Sequence, residues 1–314
     1  MSINNTRTSS TAHRFGGAWT EVKLDAISDY LGFFTAALKA KPTATSPFCL
    51  WYVDAFAGSG ERTETRQIGG LLEGTPIKHV EITLDGSARR ALAVSPPLRR
   101  FVFIERDPNR FAALRVLERA NPGRGIALEN RDANDALCEL FTRPPWSLQR
   151  GGRGLHRGVV FLDPYGMAVK WSTLKTLADT GALDIWYLFP LNAVTRQLAN
   201  DLDAVDPKKQ AKLDEIFGTP DWRTELYDVK TSDQGDLFGA APASIATRAA
   251  NQPQIEIYAQ TRLRTLFPYV SEPLPLLMPG RAQLFSLFCL SANASPVAQG
   301  LIDKGVRFVL KKYR

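Results

Sequence analysis

A chain of 314 residues, 44% of them hydrophobic, holds enough apolar material for one large α/β domain or two smaller ones. Lysine and arginine (39) exceed aspartate and glutamate (32), and the net charge of +7 favours a polyanionic partner, although a moderate excess also occurs on proteins that bind nothing acidic. Three scattered cysteines, Cys49, Cys138 and Cys289, argue against a disulfide framework or zinc ribbon. With no signal core and no apolar run of ~20 residues, this leads us to expect a soluble, cytoplasmic protein.

Residues 1–18 carry no periodicity and are expected to form a flexible tail, leaving 19–314 as the folded unit. From Trp19, apolar residues at Leu24, Ile27, Leu31, Phe34 and Leu38 recur every three or four positions, which predicts a helix ending before Pro42. Its Trp19 and Lys23 are within reach of a ligand, but packing and solvated surface are the better account of them. Trp51-Tyr52-Val53-Asp54 then reads as a buried strand, running into Ala55-Phe56-Ala57-Gly58-Ser59-Gly60. Gly58 and Gly60 let the backbone bend sharply and approach a ligand closely.

Residues 61–100 mix charge, glycine and proline, and a helix is expected over Thr75–Leu84. Phe101–Glu105 predicts a second strand, Asn109–Ala120 a helix, and Ile126–Leu128 a short strand leading to Asp132. Residues 143–158 interleave Arg150, Arg153 and Arg157 with glycines, prolines and one tryptophan. Such a loop suits a nucleic-acid contact, and a solvated insertion would read the same. Val159–Leu162 is a further strand, ending in Asp163-Pro164-Tyr165-Gly166, and a helix follows over Ser172–Asp179.

The run from Ala182 to Leu191 is hydrophobic enough for a central strand buried on both faces. Residues 192–267 look mainly helical and are expected to leave the sheet as a substrate-facing insertion. Gln283–Ser291 should return as a strand paired with Tyr269–Leu277, and the basic segment from Pro296 has no assigned type. Strands alternating with helices predict a Rossmann-like, doubly wound, mostly parallel sheet.

The chemistry follows from the strand ends. Beside Gly58 and Gly60, a nucleoside cofactor needs an acceptor for its ribose hydroxyls, and Glu105 stands where one is wanted. Asp132 is placed to accept from an adenine amine, although either acid alone would serve as a turn former or helix cap. A nicotinamide enzyme is disfavoured: Thr63 replaces the third fingerprint glycine, and Glu105 comes much later than the ~20 residues that fingerprint requires. In Asp163-Pro164-Tyr165-Gly166, a carboxylate and an adjacent carbonyl suit an –NH2 group, while Tyr165 offers a ring to stack on a flipped base.

Asp54-x-Phe56-x-Gly58-x-Gly60 together with Asp163-Pro164-Tyr165-Gly166 resembles the class I S-adenosylmethionine-dependent methyltransferases. The catalytic motif is similar to the Asp/Asn-Pro-Pro-Tyr of adenine amino-methylating enzymes, lacking one proline, and closer to the Asp-Pro-Phe-Gly of tRNA guanine-N2 methyltransferases. More closely, the chain resembles the three-Cys-motif partner family (TcmP). That resemblance rests on the Trp19–Tyr30 helix, Val53–Gly58, Phe103–Glu105, Leu162–Gly166 and Trp186–Pro190. It implies S-adenosylmethionine near Asp54, Phe56, Gly58, Gly60, Glu105 and Asp132, and places Asp163, Pro164 and Tyr165 at the acceptor. It also implies a partner protein with clustered cysteines. A small-molecule or protein amine methyltransferase, and a non-catalytic binding module, stay open as alternatives.

Overall fold

The computed structural model of the protein describes residues 18–70, 75–148, 154–231, 244–278 and 282–314. The first helix, α1 (Ala18–Leu38), precedes strand β1 (Cys49–Asp54), a hairpin of β2 (Glu61–Gly70) and β3 (Thr75–Asp85), and α2 (Ser87–Ala93). Next come β4 (Arg100–Ile104), α3 (Pro108–Arg119), β5 (Ile126–Glu129), α4 (Ala133–Thr142), β6 (His156–Leu162), α5 (Trp171–Asp179) and β7 (Leu183–Phe189). The second half carries α6 (Leu191–Gln197), α7 (Pro207–Phe217), α8 (Trp222–Glu225), a hairpin of β8 (Tyr227–Thr231) and β9 (Ser244–Arg248), and α9 (Gln252–Arg264). It closes with β10 (Tyr269–Val270), β11 (Leu274–Leu277), β12 (Gln283–Ser291) and α10 (Pro296–Tyr313).

The main sheet runs β10-β12-β7-β6-β1-β4-β5, with β11 also pairing to β12. Strands β5, β4, β1, β6 and β7 are mutually parallel, and β12 is antiparallel to β7. From β1 the chain winds one way through β4 and β5, then returns to the other side for β6 and β7. The carboxyl ends of β1 and β6 therefore flank a topological switch point, where open α/β sheets bind ligands.

Alternation along each strand builds two cores. Val53, Val102, Val160 and Ile185 face one layer of helices, formed by α4 to α7 and α9. Tyr52, Phe103, Phe161 and Trp186 face the other, formed by α1, α2, α3 and α10. A period of two is what sends neighbours to opposite faces. Every residue of β7 is buried, as its unbroken hydrophobicity predicts.

Three expectations change, and the unassigned C-terminal segment gains a type. Residues 75–85 form strand β3 instead of a helix, because the β-branched positions alternate and the segment pairs with β2. Residue 18 already belongs to α1, while 1–17 lie outside the described residues. The segment 192–267 is mainly helical and adds no strand to the main sheet, but it packs against it: Val194, Leu213, Phe217, Ile255 and Leu263 are buried in the core on one of the sheet's faces, and the segment includes the β8–β9 hairpin. The C-terminal segment is a helix, α10, packed on α1 through Val306 and Val309. Among the described residues, no helix is long and apolar enough to cross a membrane.

Candidate active site

The acidic strand ends meet at one edge. Asp54 is in register with Phe103 of β4 and Phe161 of β6, so Glu105 and Asp163 each lie two residues beyond it on the flanking strands. Ile104 is in register with Glu129, which puts Asp132 at the same edge beyond β5. Adjacent strands are about 4.8 Å apart, so these groups share one crevice.

The glycine turn is held from beneath. Asp54 is fully buried, accepts from Phe56 N at 3.3 Å and from the Tyr52 hydroxyl at 3.2 Å, and lies against Asp163 electrostatically. Desolvation is the first cause that pushes its carboxyl up to about 6, with the nearby Asp163 charge adding to it. Asp54 thus shapes the turn, and the turn's outer surface faces any ligand. Gly58 has φ +62°, a left-handed conformation, and a Cβ placed there would meet nothing within 4 Å. Gly60 also has positive φ, but its Cβ would press on Leu117 at 3.2 Å, so this glycine serves the packing of α3 under the turn. Phe56 is half-buried against the core.

Glu105 is nearly buried and bridges the two turns: Oε2 accepts from Gly58 N at 2.9 Å and Oε1 from Asp107 N at 2.8 Å. Each carboxylate oxygen retains a second lone pair for a ribose hydroxyl. Asp132 caps α4, with Oδ1 accepting from Asn134 N at 2.9 Å, so the capping role is realised in addition to any ligand contact. Open space before Gly58 and a carboxylate beside it fit the nucleoside part of S-adenosylmethionine.

Beyond β6, Asp163 is partly exposed and ion-paired with Lys23 of α1. Lys23 is buried, its ammonium 5.1 Å from the Trp19 ring centroid and 6.0 Å from that of Phe161. Pro164 is buried behind Asp163. Tyr165 is 55% exposed; its hydroxyl accepts from Arg110 of α3, whose guanidinium also lies 5.1 Å from the ring centroid. Asn134 ties the loop after Tyr165 to α4, donating to Ala168 O at 3.0 Å and accepting from Lys170 N at 3.0 Å.

The sequence alone favours packing or solvated surface for Lys23, and it gives Arg110 no role. The signal for Lys23 is a lone cation within the apolar stripe of α1, four residues before Ile27 and seven before Tyr30. Nothing local marks Arg110. Of the three loop arginines, the described one, Arg157, is not brought near Asp163. Arg157 sits at the amino end of β6, opposite Leu50, about 20 Å of strand away from Asp163. There it lies 4.3 Å from the Phe48 ring centroid and donates to Gly154 O at 2.9 Å. Arg150 and Arg153 lie outside the described residues.

The strand order around the switch point, the glycine turn after β1 and the acidic ends beyond β4, β5 and β6 define a Rossmann-like fold of the class I methyltransferase type. No protein-family model and no curated protein matches the chain. Among solved structures it is similar to protein LPL1258 of Legionella pneumophila, at 13% identity over 95% of this chain and 93% of that one, with a TM-score of 0.49. It is similar also to Escherichia coli yhhF, assigned as a methyltransferase (15% identity, 71% and 86% covered, TM-score 0.29). A third is a Listeria monocytogenes protein assigned as an S-adenosylmethionine-dependent methyltransferase (9%, 85% and 98%, TM-score 0.38).

Proposed function

We propose that the chain is an S-adenosylmethionine-dependent methyltransferase acting on an exocyclic amine of a nucleic-acid base, adenine N6 or guanine N2, together with a three-Cys-motif partner protein. The observation that carries the reading is the pairing of Asp163 with Lys23 on the strand next to the glycine turn. Nucleic acid as partner is supported by the net charge of +7 and by Tyr165 with Arg110 at the rim. The partner protein is supported by the sequence resemblance alone.

S-adenosylmethionine supplies an electrophilic methyl group when bound; Gly58 and Glu105 would hold its nucleoside. Asp163 and the carbonyl at Pro164 accept from the two N–H groups of the amine, which aims the nitrogen lone pair at the methyl carbon. A carboxylate already opposed by an ammonium suits this orienting role better than proton abstraction. The nitrogen gains the methyl and gives up one proton to solvent. Tyr165, steadied by Arg110, offers its face to the base, which offsets part of the few kcal/mol that unstacking costs.

The test is a labelled-methyl assay on total RNA and total DNA, with calorimetry of S-adenosylhomocysteine binding alongside. Transfer by the wild type that Asp163→Asn abolishes, with cofactor binding kept, is the expected result. Cofactor binding without transfer to any nucleic acid, partner included, overturns the enzyme reading in favour of a binding module.

A further inference from the structure

At the opposite edge of the sheet, beside the amino ends of β6 and β7, a cavity of about 1060 Å³ opens between two helices. One wall is the second half of α1, with Phe33, Phe34 and Leu38; the other is the start of α10, with Val297 and Leu301. The helices touch at Phe33 and Gly305, where any Cβ would collide with the Phe33 ring. Beyond that contact their apolar faces line the groove. Val297 is 84% exposed at its lip.

Charge around the groove is one-sided. Lys41, Lys304 and Arg157 line it, and α10 begins there with no side-chain cap on its first turn. The single carboxylate in the lining, Asp184, is buried in the floor, accepts from the Tyr30 hydroxyl at 2.8 Å and is bonded by Ser291, with Arg157 facing it. Its charge is engaged within the floor.

We propose that this groove docks an acidic amphipathic helix of a partner protein. The volume lies at the upper limit of small-molecule pockets, about 300–1,000 Å³. From Tyr30 to Leu38 the α1 wall runs about 12 Å, just over two helical turns, which is the span that apolar anchors at i, i+3 or i+4, and i+7 cover. Acidic residues on the flanks of such a helix meet Lys41 and Lys304. The chain's own N-terminal segment carries Arg7 and Arg14 and no carboxylate, and a second copy brings a net charge of +7, so both have the wrong sign. The groove leaves the catalytic edge open, although α1 reaches both: Lys23 stands towards one end and Phe33 to Leu38 at the other.

The experiment selects binders to the wild-type protein from a display library of three-turn helical peptides, then measures the best by fluorescence anisotropy. Enriched peptides should be acidic with apolar anchors at the stated spacing. Val297→Asp and the double charge reversal Lys41→Glu/Lys304→Glu should each weaken them by roughly tenfold or more, with S-adenosylhomocysteine binding unchanged. Selection of basic or neutral peptides, or binding indifferent to both variants, overturns the proposal. So does a dimer seen by light scattering that Val297→Asp dissociates, or dodecanoate displacing nothing yet stabilising the wild type through Val297.

Discussion

Lys23, on the first helix, is ion-paired with Asp163 at the end of β6, 140 residues further along the chain. The pair joins the element that opens the fold to the loop that carries the proposed acceptor motif. Lys23→Met leaves Asp163 without its counter-charge in a half-buried site. Methyl transfer is expected to fall by at least about tenfold, while Asp163→Asn falls by about two orders of magnitude, typical of one preorganised electrostatic contact. Cofactor affinity should change little in either variant, since the proposed function gives both residues to the acceptor. Initial rates with calorimetry separate the two effects, and a Lys23→Met enzyme of wild-type rate refutes the role of the pair.

Gly58→Val tests the cofactor turn. With φ at +62°, a β-branched residue costs about 1–2 kcal/mol in backbone strain. Its Cβ meets nothing within 4 Å, so the fold survives while the side chain fills the space before the turn. The expected outcome is a folded protein with no calorimetric signal for S-adenosylhomocysteine. Retained binding would move the cofactor elsewhere.

Arg110 and Tyr165 act as a unit, so their variants should differ by what they leave behind. Tyr165→Ala removes a stacking surface worth about 1–3 kcal/mol and should raise KM for the nucleic acid by roughly five- to 150-fold. Tyr165→Phe keeps the ring, and Arg110→Ala keeps the ring but loosens it; both should raise KM by smaller factors with kcat nearly unchanged. Steady-state kinetics on a short RNA or DNA substrate decides it.

Asp184 links burial to pH. Desolvation pushes its carboxyl up to about 6 from the ordinary 3.8, so the folded state binds this proton more tightly than the unfolded state does. The contribution is therefore most favourable below pH 4, is lost as pH rises through about 6, and is constant above that. Asp184→Asn removes the titration and keeps an acceptor for Tyr30. The variant's stability relative to the wild type should rise by up to about 3 kcal/mol between pH 4 and 7.5, read from urea unfolding at the two values. A difference that does not vary with pH contradicts the assignment.

The three arginines expected to bind nucleic acid should separate. Arg157 is anchored on Phe48 and on main-chain carbonyls far from the acceptor. Arg157→Gln should leave nucleic-acid affinity and its salt dependence unchanged in a filter-binding titration. Reversal of Arg150 and Arg153 together should weaken binding and flatten the salt dependence, as each lost phosphate contact releases fewer counterions. A large loss from Arg157→Gln alone would return all three to one surface.

Where each element's character was written in its own residues, reading the sequence was enough. The β7 run needed only its unbroken hydrophobicity, and the strands ending near Asp54, Glu105 and Asp163 needed only an apolar run stopped by a turn. Their common edge followed from the rule that parallel strands joined by crossovers point the same way. The Thr75–Asp85 segment failed because its alternation is short and its partner strand, β2, was itself unread.

What the tertiary structure alone decided is which distant residues share a space. A lysine in the stripe of α1 reads as an imperfection of the stripe until the helix lands beside β6 and its ammonium meets Asp163. Arg110 acquires its place only because β4 and β6 both flank β1, which brings the helix after one strand over the loop after the other. Arg157 and Asp163 are six residues apart and looked like neighbours, yet an extended strand advances about 3.3 Å per residue and sets them at opposite ends of the sheet. Local sequence determined the strands and their chemical endings because hydrophobic periodicity and turn chemistry act between near neighbours. Strand order and helix docking decided the site, because those depend on burying many apolar faces at once, which no single segment encodes.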